Sequence, residues 1–185
     1  YYDQIVCVGE LMSTCIVSNY LNEVGVENNL LDVRDILQTD NNFRDATINW
    51  EKTETNLDTI TLHPQLTITQ GFIGSTDQNE STTLGREGSD YSAAIFANLL
   101  HAESLTIWKD VEGVMNADPK TFSDAKLITA LSYKEVIEMA YYGAQVIHPK
   151  TIKPLQNKHI PLYVKSFLNT SLAGTIISKK KKKNL

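Results

Sequence analysis

The residues best suited to chemistry gather in two short loops. The denser is Thr82–Asp90, TTLGREGSD. Gly85 and Gly88 let the backbone turn tightly and come close to a ligand. Ser89 and Asp90 stand at the start of a predicted helix, with Ser89 as N-cap, where free N–H groups favour an anion. Arg86 offers a planar guanidinium fork suited to a carboxylate or a phosphate. An ordinary turn with a capped helix and a surface arginine fits the same residues, and the motif alone leaves both readings open.

The second loop is Trp108–Lys120, WKDVEGVMNADPK. Asp110 closes a predicted strand, and ligands gather at the carboxyl ends of strands in open α/β sheets. Asp118-Pro119 makes a rigid turn, with Lys109 and Lys120 flanking as candidate phosphate partners. A strand-end carboxylate capping its own loop fits equally well. Gly9-Glu10 puts a carboxylate at a predicted helix start, where stabilising the dipole is its commoner role. His63, His101, His148 and His159 are scattered, and no P-loop, dinucleotide fingerprint or Cys/His metal cluster occurs. The residues by themselves define an anion-handling α/β domain.

The elements that must position these loops alternate between strand and helix. Apolar spacing predicts a helix from Glu10 to Val24, presenting Leu11, Cys15, Ile16, Tyr20, Leu21 and Val24. Strands are predicted at Asn29–Val33, weakly at Ala46–Trp50, and at Gln65–Gly74, with Glu51–His63 irregular and Ser75–Thr83 a hairpin loop. Helix Tyr91–His101 precedes strand Ser104–Val111. Ser132, with Glu135 at the capping-box position, opens a helix that stops at Gly143. Helix Thr151–Lys158 and strands Pro161–Phe167 and Gly174–Ser178 follow. This order predicts one α/β domain, a three-layer sandwich around a mainly parallel sheet.

Composition narrows the function classes. The 185 residues, 42% of them hydrophobic, can bury a core without metals or disulfides. Cys7 and Cys15 read as reduced core or near-core thiols. The formal charge of −5 includes five lysines at Lys179–Lys183, and the rest of the chain carries −10 (−5 less 5). So acidic a body is unsuited to nucleic acid. The lysine run reads as a disordered tail. The sequence shows no apolar run near the roughly 18 residues a membrane helix needs, and no signal peptide, so a cytoplasmic location with no membrane partner is expected.

Seven segments in order resemble aspartate kinases: GELMS (Gly9–Ser13), LDVRDILQTD (Leu31–Asp40), ITQGFIG (Ile68–Gly74), TTLGREGSDYSAA (Thr82–Ala94), IWKDVEGVMNADPK (Ile107–Lys120), SYKEVIEMAYYGAQVIHPKTI (Ser132–Ile152) and Gly174-Thr175. The first, second and fourth look like the monofunctional, lysine-regulated type. The resemblance implies an amino-acid kinase fold and transfer of the ATP γ-phosphoryl group to the β-carboxylate of L-aspartate, with Mg2+. It implies that Glu10 lies near the substrate amino group, that Arg86 grips the α-carboxylate, and that Ser89 and Asp90 orient substrate and active-site groups. Lys109, Asp110, Met115, Asp118, Lys120 and Gln145 would lie on the nucleotide side.

Several residues depart from the family pattern. Glu87 stands for a glycine, Lys109 for a threonine, Met115 for an aromatic residue, Lys120 for an arginine and Gln145 for a lysine. The family's opening KFGGTS-like loop and its C-terminal regulatory (ACT) domains have no counterpart in the sequence. Residues 1–178 are therefore expected to form a catalytic domain lacking its glycine-rich front and turning over poorly alone. A homodimer is implied for the full-length enzyme. The alternatives are another amino-acid kinase, acting on glutamate, acetylglutamate, carbamate or a nucleoside monophosphate, and a non-catalytic binding module.

Overall fold

The computed structural model describes residues 1–118, 121–144 and 147–179. Its backbone forms two compact units, residues 1–92 and 93–185.

In the first unit helix α1 (Tyr2–Glu23) begins eight residues before Glu10. Its inward face is polar. Asp3, Cys7 and Ser18 are buried, while Ile5, Met12, Ile16 and Tyr20 are exposed. Buried Asp3 accepts hydrogen bonds from the backbone N–H groups of Thr83 (2.7 Å) and Arg44 (2.9 Å). The Gln4 side chain exchanges two hydrogen bonds with the Ser81 backbone. Gln70 donates to Thr14 Oγ1 (2.8 Å), and Ser18 donates to Asn28. Cys15 is exposed, so only Cys7 is a core thiol. By length and composition α1 is also apolar enough to cross a membrane, against the sequence expectation. Its polar face, however, is committed to hydrogen bonds within this unit, an arrangement that transfer into a bilayer would break.

Strand β1 (Asn29–Leu31) pairs in parallel with β2 (Thr67–Thr69), Leu30 opposite Ile68. Between them Asp32 caps a 3-10 turn (Val33–Asp35) by accepting from Arg34 N. No strand forms over Ala46–Trp50, where a single bridge joins Thr39 to Ile48. The segment expected to be irregular instead holds helix α2 (Trp50–Asp58), capped by Asn49 accepting from Lys52 N. Only Thr53 and Leu57 of α2 are buried, too narrow a face to give a clear period.

The predicted strand Gln65–Gly74 is broken after β2. Buried Gln70 turns its side chain to accept from Val33 N (2.8 Å), and Phe72 takes a left-handed backbone (φ 70°). The chain then resumes as β3 (Ile73–Ser75), which forms an antiparallel hairpin with β4 (Ser81–Thr83). Helix α3 (Gly88–Leu99) follows, and Ser89 lies inside it rather than capping it.

In the second unit four strands lie in the order β5-β7-β8-β6: β5 (Leu105–Lys109), β6 (Ala130–Ser132), β7 (Leu162–Ser166) and β8 (Thr175–Ser178). Pairs β5–β7 and β6–β8 are parallel, and β7–β8 is antiparallel. Among the described residues three of the five ladders are thus parallel, giving a mixed, mostly parallel α/β architecture. Helix α4 (Tyr133–Tyr141) carries the predicted Ser132/Glu135 capping box. Helix α5 (Pro149–Lys158) starts at His148, whose ring accepts from Lys150 N (3.1 Å). Ile152, Leu155, Leu162, Val164 and Ile177 are fully buried in this unit's core. Each such side chain contributes about 1.5–3 kcal/mol of transfer free energy.

Candidate functional site

The ITQGFIG turn docks on the first turn of α3, and two glycines permit the contact. A Cβ on Gly71 would lie 3.0 Å from Ser89 Cα, and one on Gly88 would lie 2.6 Å from the Phe72 ring. Ser92 Oγ accepts from Phe72 N (2.9 Å) and donates to the Gly88 carbonyl (2.9 Å). Leu84 N donates to the Phe72 carbonyl (2.8 Å), so the GREGSD loop and the Phe72 turn hold one another.

Beside this junction lies an open cavity of about 450 Å³ lined by Tyr2, Arg44, Phe72, Thr83, Gly85 and Arg86. Of the predicted substrate-side residues only Arg86 lines it. Ser89 is exposed and Asp90 half-buried, both in the first turn of α3. Glu10 is half-buried in mid-α1, not at a helix start, and its carbonyl receives the hydroxyls of Ser13 and Thr14. Sequence reading missed Tyr2, Arg44, Phe72 and Thr83 as cavity residues. Phe72 carried a signal, since it stands between two glycines of a quoted motif. Arg44 carried none.

Arg44 is held in an unusual way. Its backbone is left-handed (φ 73°), a region costly for a residue with a Cβ. Its N–H is fixed by buried Asp3, and its guanidinium lies 4.8 Å over the Tyr2 ring. Among the described residues, neither the Arg44 nor the Arg86 guanidinium makes an ion pair or a side-chain hydrogen bond. The residues lining the cavity thus include two cationic groups, while the Asp45 carboxylate packs against its lining residue Gly85, with Oδ1 2.5 Å from where a Cβ would stand. Arg34 differs. It makes three hydrogen bonds to Asp32, which hold the Asp32 carboxyl below its ordinary range. Within the LDVRD motif, Asp32 and Arg34 are thus paired with one another.

In the second unit Asp110 is exposed immediately after β5, with Lys109 the last residue of that strand. The chain beyond is pinned by the closing Gly174-Thr175. A Cβ on Gly113 (φ 151°) would lie 2.6 Å from Thr175 Oγ1. That hydroxyl accepts from Val114 N (2.9 Å) and donates to the Ile128 carbonyl (2.6 Å). Met115 bridges Leu127. The carbonyl of Asp118 accepts from Thr121 and Phe122 N, leaving the residue exposed. Lys120, Gln145 and the lysines beyond Lys179 lie outside the described residues. Among the described residues no cluster of three His, Cys, Asp or Glu could hold a metal.

Residues 2–166 match the model of the amino acid kinase family, and the chain belongs to that family. Within it the similarity is to aspartokinases. The chain is 40% identical over 182 residues to lysine-sensitive aspartokinase 3 of Escherichia coli, covering 96% of this chain and 40% of that protein. It is 43% identical over 174 residues to the chloroplastic bifunctional aspartokinase/homoserine dehydrogenase 2 of Arabidopsis thaliana, covering 91% and 19%. The crystal structure of E. coli aspartokinase III in complex with aspartate and ADP superposes with a TM-score of 0.92 at 39% identity, covering 98% of this chain and 41% of that one. The chain thus spans about two fifths of the length of the E. coli relative.

Proposed function

We propose that the chain is the catalytic part of an aspartate kinase, forming 4-phospho-L-aspartate from L-aspartate and ATP. The observation that carries this reading is Arg86. It lines an open cavity without an anionic partner, in a chain whose relatives include an enzyme crystallised with aspartate and ADP. The acceptor chemistry also suits the residues present. A carboxylate is already ionised at neutral pH, so its oxygen can attack the γ-phosphorus without a general base, and the bond from that phosphorus to the ADP oxygen breaks. Such a reaction needs positioning and neutralised charge more than a nucleophilic side chain.

In this reading Arg86 holds the α-carboxylate, Glu10 faces the amino group, and Ser89 and Asp90 orient the acceptor from the start of α3. Lys109, Asp110, Met115 and Asp118, with Lys120 and Gln145, serve ATP with Mg2+. ATP would supply the phosphoryl group and Mg2+ would neutralise its charge. The exposed Asp110 and Asp118 suit a metal held by one or two carboxylates and by phosphates. Residues 1–178 as one catalytic domain, a homodimeric full-length enzyme and a cytoplasmic location belong to the same reading, although the Arabidopsis relative is named chloroplastic.

The test is calorimetric titration of the 185-residue chain with L-aspartate in the presence of Mg-ADP, alongside glutamate, carbamate and UMP. Aspartate is expected to bind selectively, and Arg86→Gln to weaken it at least about tenfold through loss of charge-assisted hydrogen bonds. Selective binding of UMP or carbamate, or an Arg86→Gln chain that binds like the wild type, refutes the proposal.

A further inference from the structure

We infer that Arg44 is a second carboxylate clamp, which makes the cavity selective for a dicarboxylate over a monocarboxylate amino acid of similar size. The inference rests on the aspartate reading and assigns the determinant of that substrate's second negative charge.

Four observations converge on this one residue. Arg44 lines the same cavity as Arg86. Its backbone sits in the left-handed region (φ 73°), where glycine would be at ease. Non-glycine residues held there cluster at ligand-binding sites, where the surroundings hold the conformation in place. Here the surroundings are identifiable, because the buried carboxylate of Asp3 accepts from Arg44 N (2.9 Å) and also from Thr83 N of the cavity wall (2.7 Å). One carboxylate therefore sets Arg44 and the end of β4 together. Finally, the guanidinium is placed by the Tyr2 ring rather than by an anion. That contact orients the cation without neutralising it, so its charge is available to a ligand.

A fold that needed only a turn at this position would be better served by glycine. An arginine without an ion pair among the described residues, supported there from both its main chain and its side chain, points to an anion that arrives from outside. Arg86 supplies one site and Arg44 the other, and two carboxylates are the charge pattern that matches two guanidinium groups.

The experiment compares the wild-type chain with Arg44→Gly and Arg44→Lys. Each is titrated with L-aspartate, L-asparagine and succinate, and the thermal midpoint is measured in parallel. Arg44→Gly keeps the N–H that Asp3 holds and relieves the left-handed backbone, so its midpoint is expected to rise. Its affinity for aspartate should nevertheless fall by about 10- to 100-fold, the range that lost charge-assisted hydrogen bonds correspond to. Asparagine binding should change little. Arg44→Lys should recover part of the aspartate affinity, because the charge returns without the fork. A purely structural role would move the midpoint and leave the aspartate-to-asparagine ratio unchanged. That result overturns the inference while leaving the aspartate reading intact. Succinate binding lost in Arg44→Gly, with aspartate no better than succinate in the wild type, upholds the clamp and sinks the aspartate reading. A folded wild-type chain that binds neither dicarboxylate overturns both.

Discussion

Thr175→Val exchanges one hydroxyl for a methyl group and changes almost nothing else. Thr175 is fully buried at the start of β8. Its hydroxyl accepts from Val114 N and donates to the Ile128 carbonyl, so it joins the loop after β5 to the segment before β6. Valine has nearly the same shape and strands both partners. Leaving the Val114 N–H buried without an acceptor costs about 1–3 kcal/mol, and losing the bond to Ile128 about another 1 kcal/mol. The added methyl offsets about 0.8 kcal/mol. The net expectation is a loss of about 1–3 kcal/mol, roughly 2–4 °C in Tm for each kcal/mol in a chain of this size. Urea unfolding followed by far-UV circular dichroism measures the total, and hydrogen exchange at the Val114 amide locates it. Thr175→Ser is the control, since it keeps the hydroxyl and loses one buried methyl. The reasoning fails if Thr175→Val matches the wild type with its Val114 amide still protected. It fails equally if Thr175→Ser is the more damaging change, because methyl packing would then outweigh the hydrogen bonds.

Asp3→Ala strands the Thr83 and Arg44 N–H groups, and denaturant unfolding should show a loss of about 2–6 kcal/mol at roughly 1–3 kcal/mol per orphaned group. A loss below about 0.5 kcal/mol would contradict the burial of the Thr83 N–H. Asp32 gives a pH prediction. Hydrogen bonding to Arg34 lowers its folded pKa from the ordinary value of 3.8, so its contribution to stability is complete above that value. The contribution disappears as pH falls through the lower folded pKa. Asp32→Asn should reduce stability at pH 7 and flatten the acid limb below about pH 4 in stability-versus-pH curves. Unchanged steepness there would show that the pair is not the titrating element.

What could be read from the sequence depended on how local the determining interactions are. Helix α4 was legible because its cap, Ser132 with Glu135, spans three residues. Strands β5, β7 and β8 were legible because the second unit's core is made of apolar residues in ordinary alternation, as in β7, where Leu162 and Val164 point inward. The first unit defeats the same method. Helix α2 inserts Thr53, whose hydroxyl accepts from Gln38 N, in place of an apolar stripe. Helix α1 turns Asp3, Thr14 and Ser18 toward its neighbours and leaves Ile5, Met12 and Ile16 outside, so apolar periodicity found the helix but inverted much of its face. The cavity follows the same rule. Arg86 and Gly85 belong to one contiguous glycine-bearing loop and could be found by motif. Arg44 reaches the cavity through an Asp3 contact 41 residues away in sequence, which in turn depends on α1 packing against β4.

Glu10 gives the last prediction, and it starts from a corrected position. As a carboxylate at a helix start it had an adequate bland explanation, stabilisation of the dipole. The helix in fact begins at Tyr2, which puts Glu10 more than two turns inside it, and the dipole effect falls off within the first turn. Among the described residues its side chain has no ion pair or hydrogen bond, so a structural pairing does not explain it either. It is nevertheless half-buried on the inward side of α1, one turn before the Thr14 that receives Gln70. On the proposal that Glu10 faces the substrate amino group, a substrate ammonium group would be its counterpart. Glu10→Gln should therefore weaken L-aspartate in titration of the chain by about tenfold and leave succinate, which lacks the amino group, unaffected. Equal losses for the two ligands would return Glu10 to a structural role.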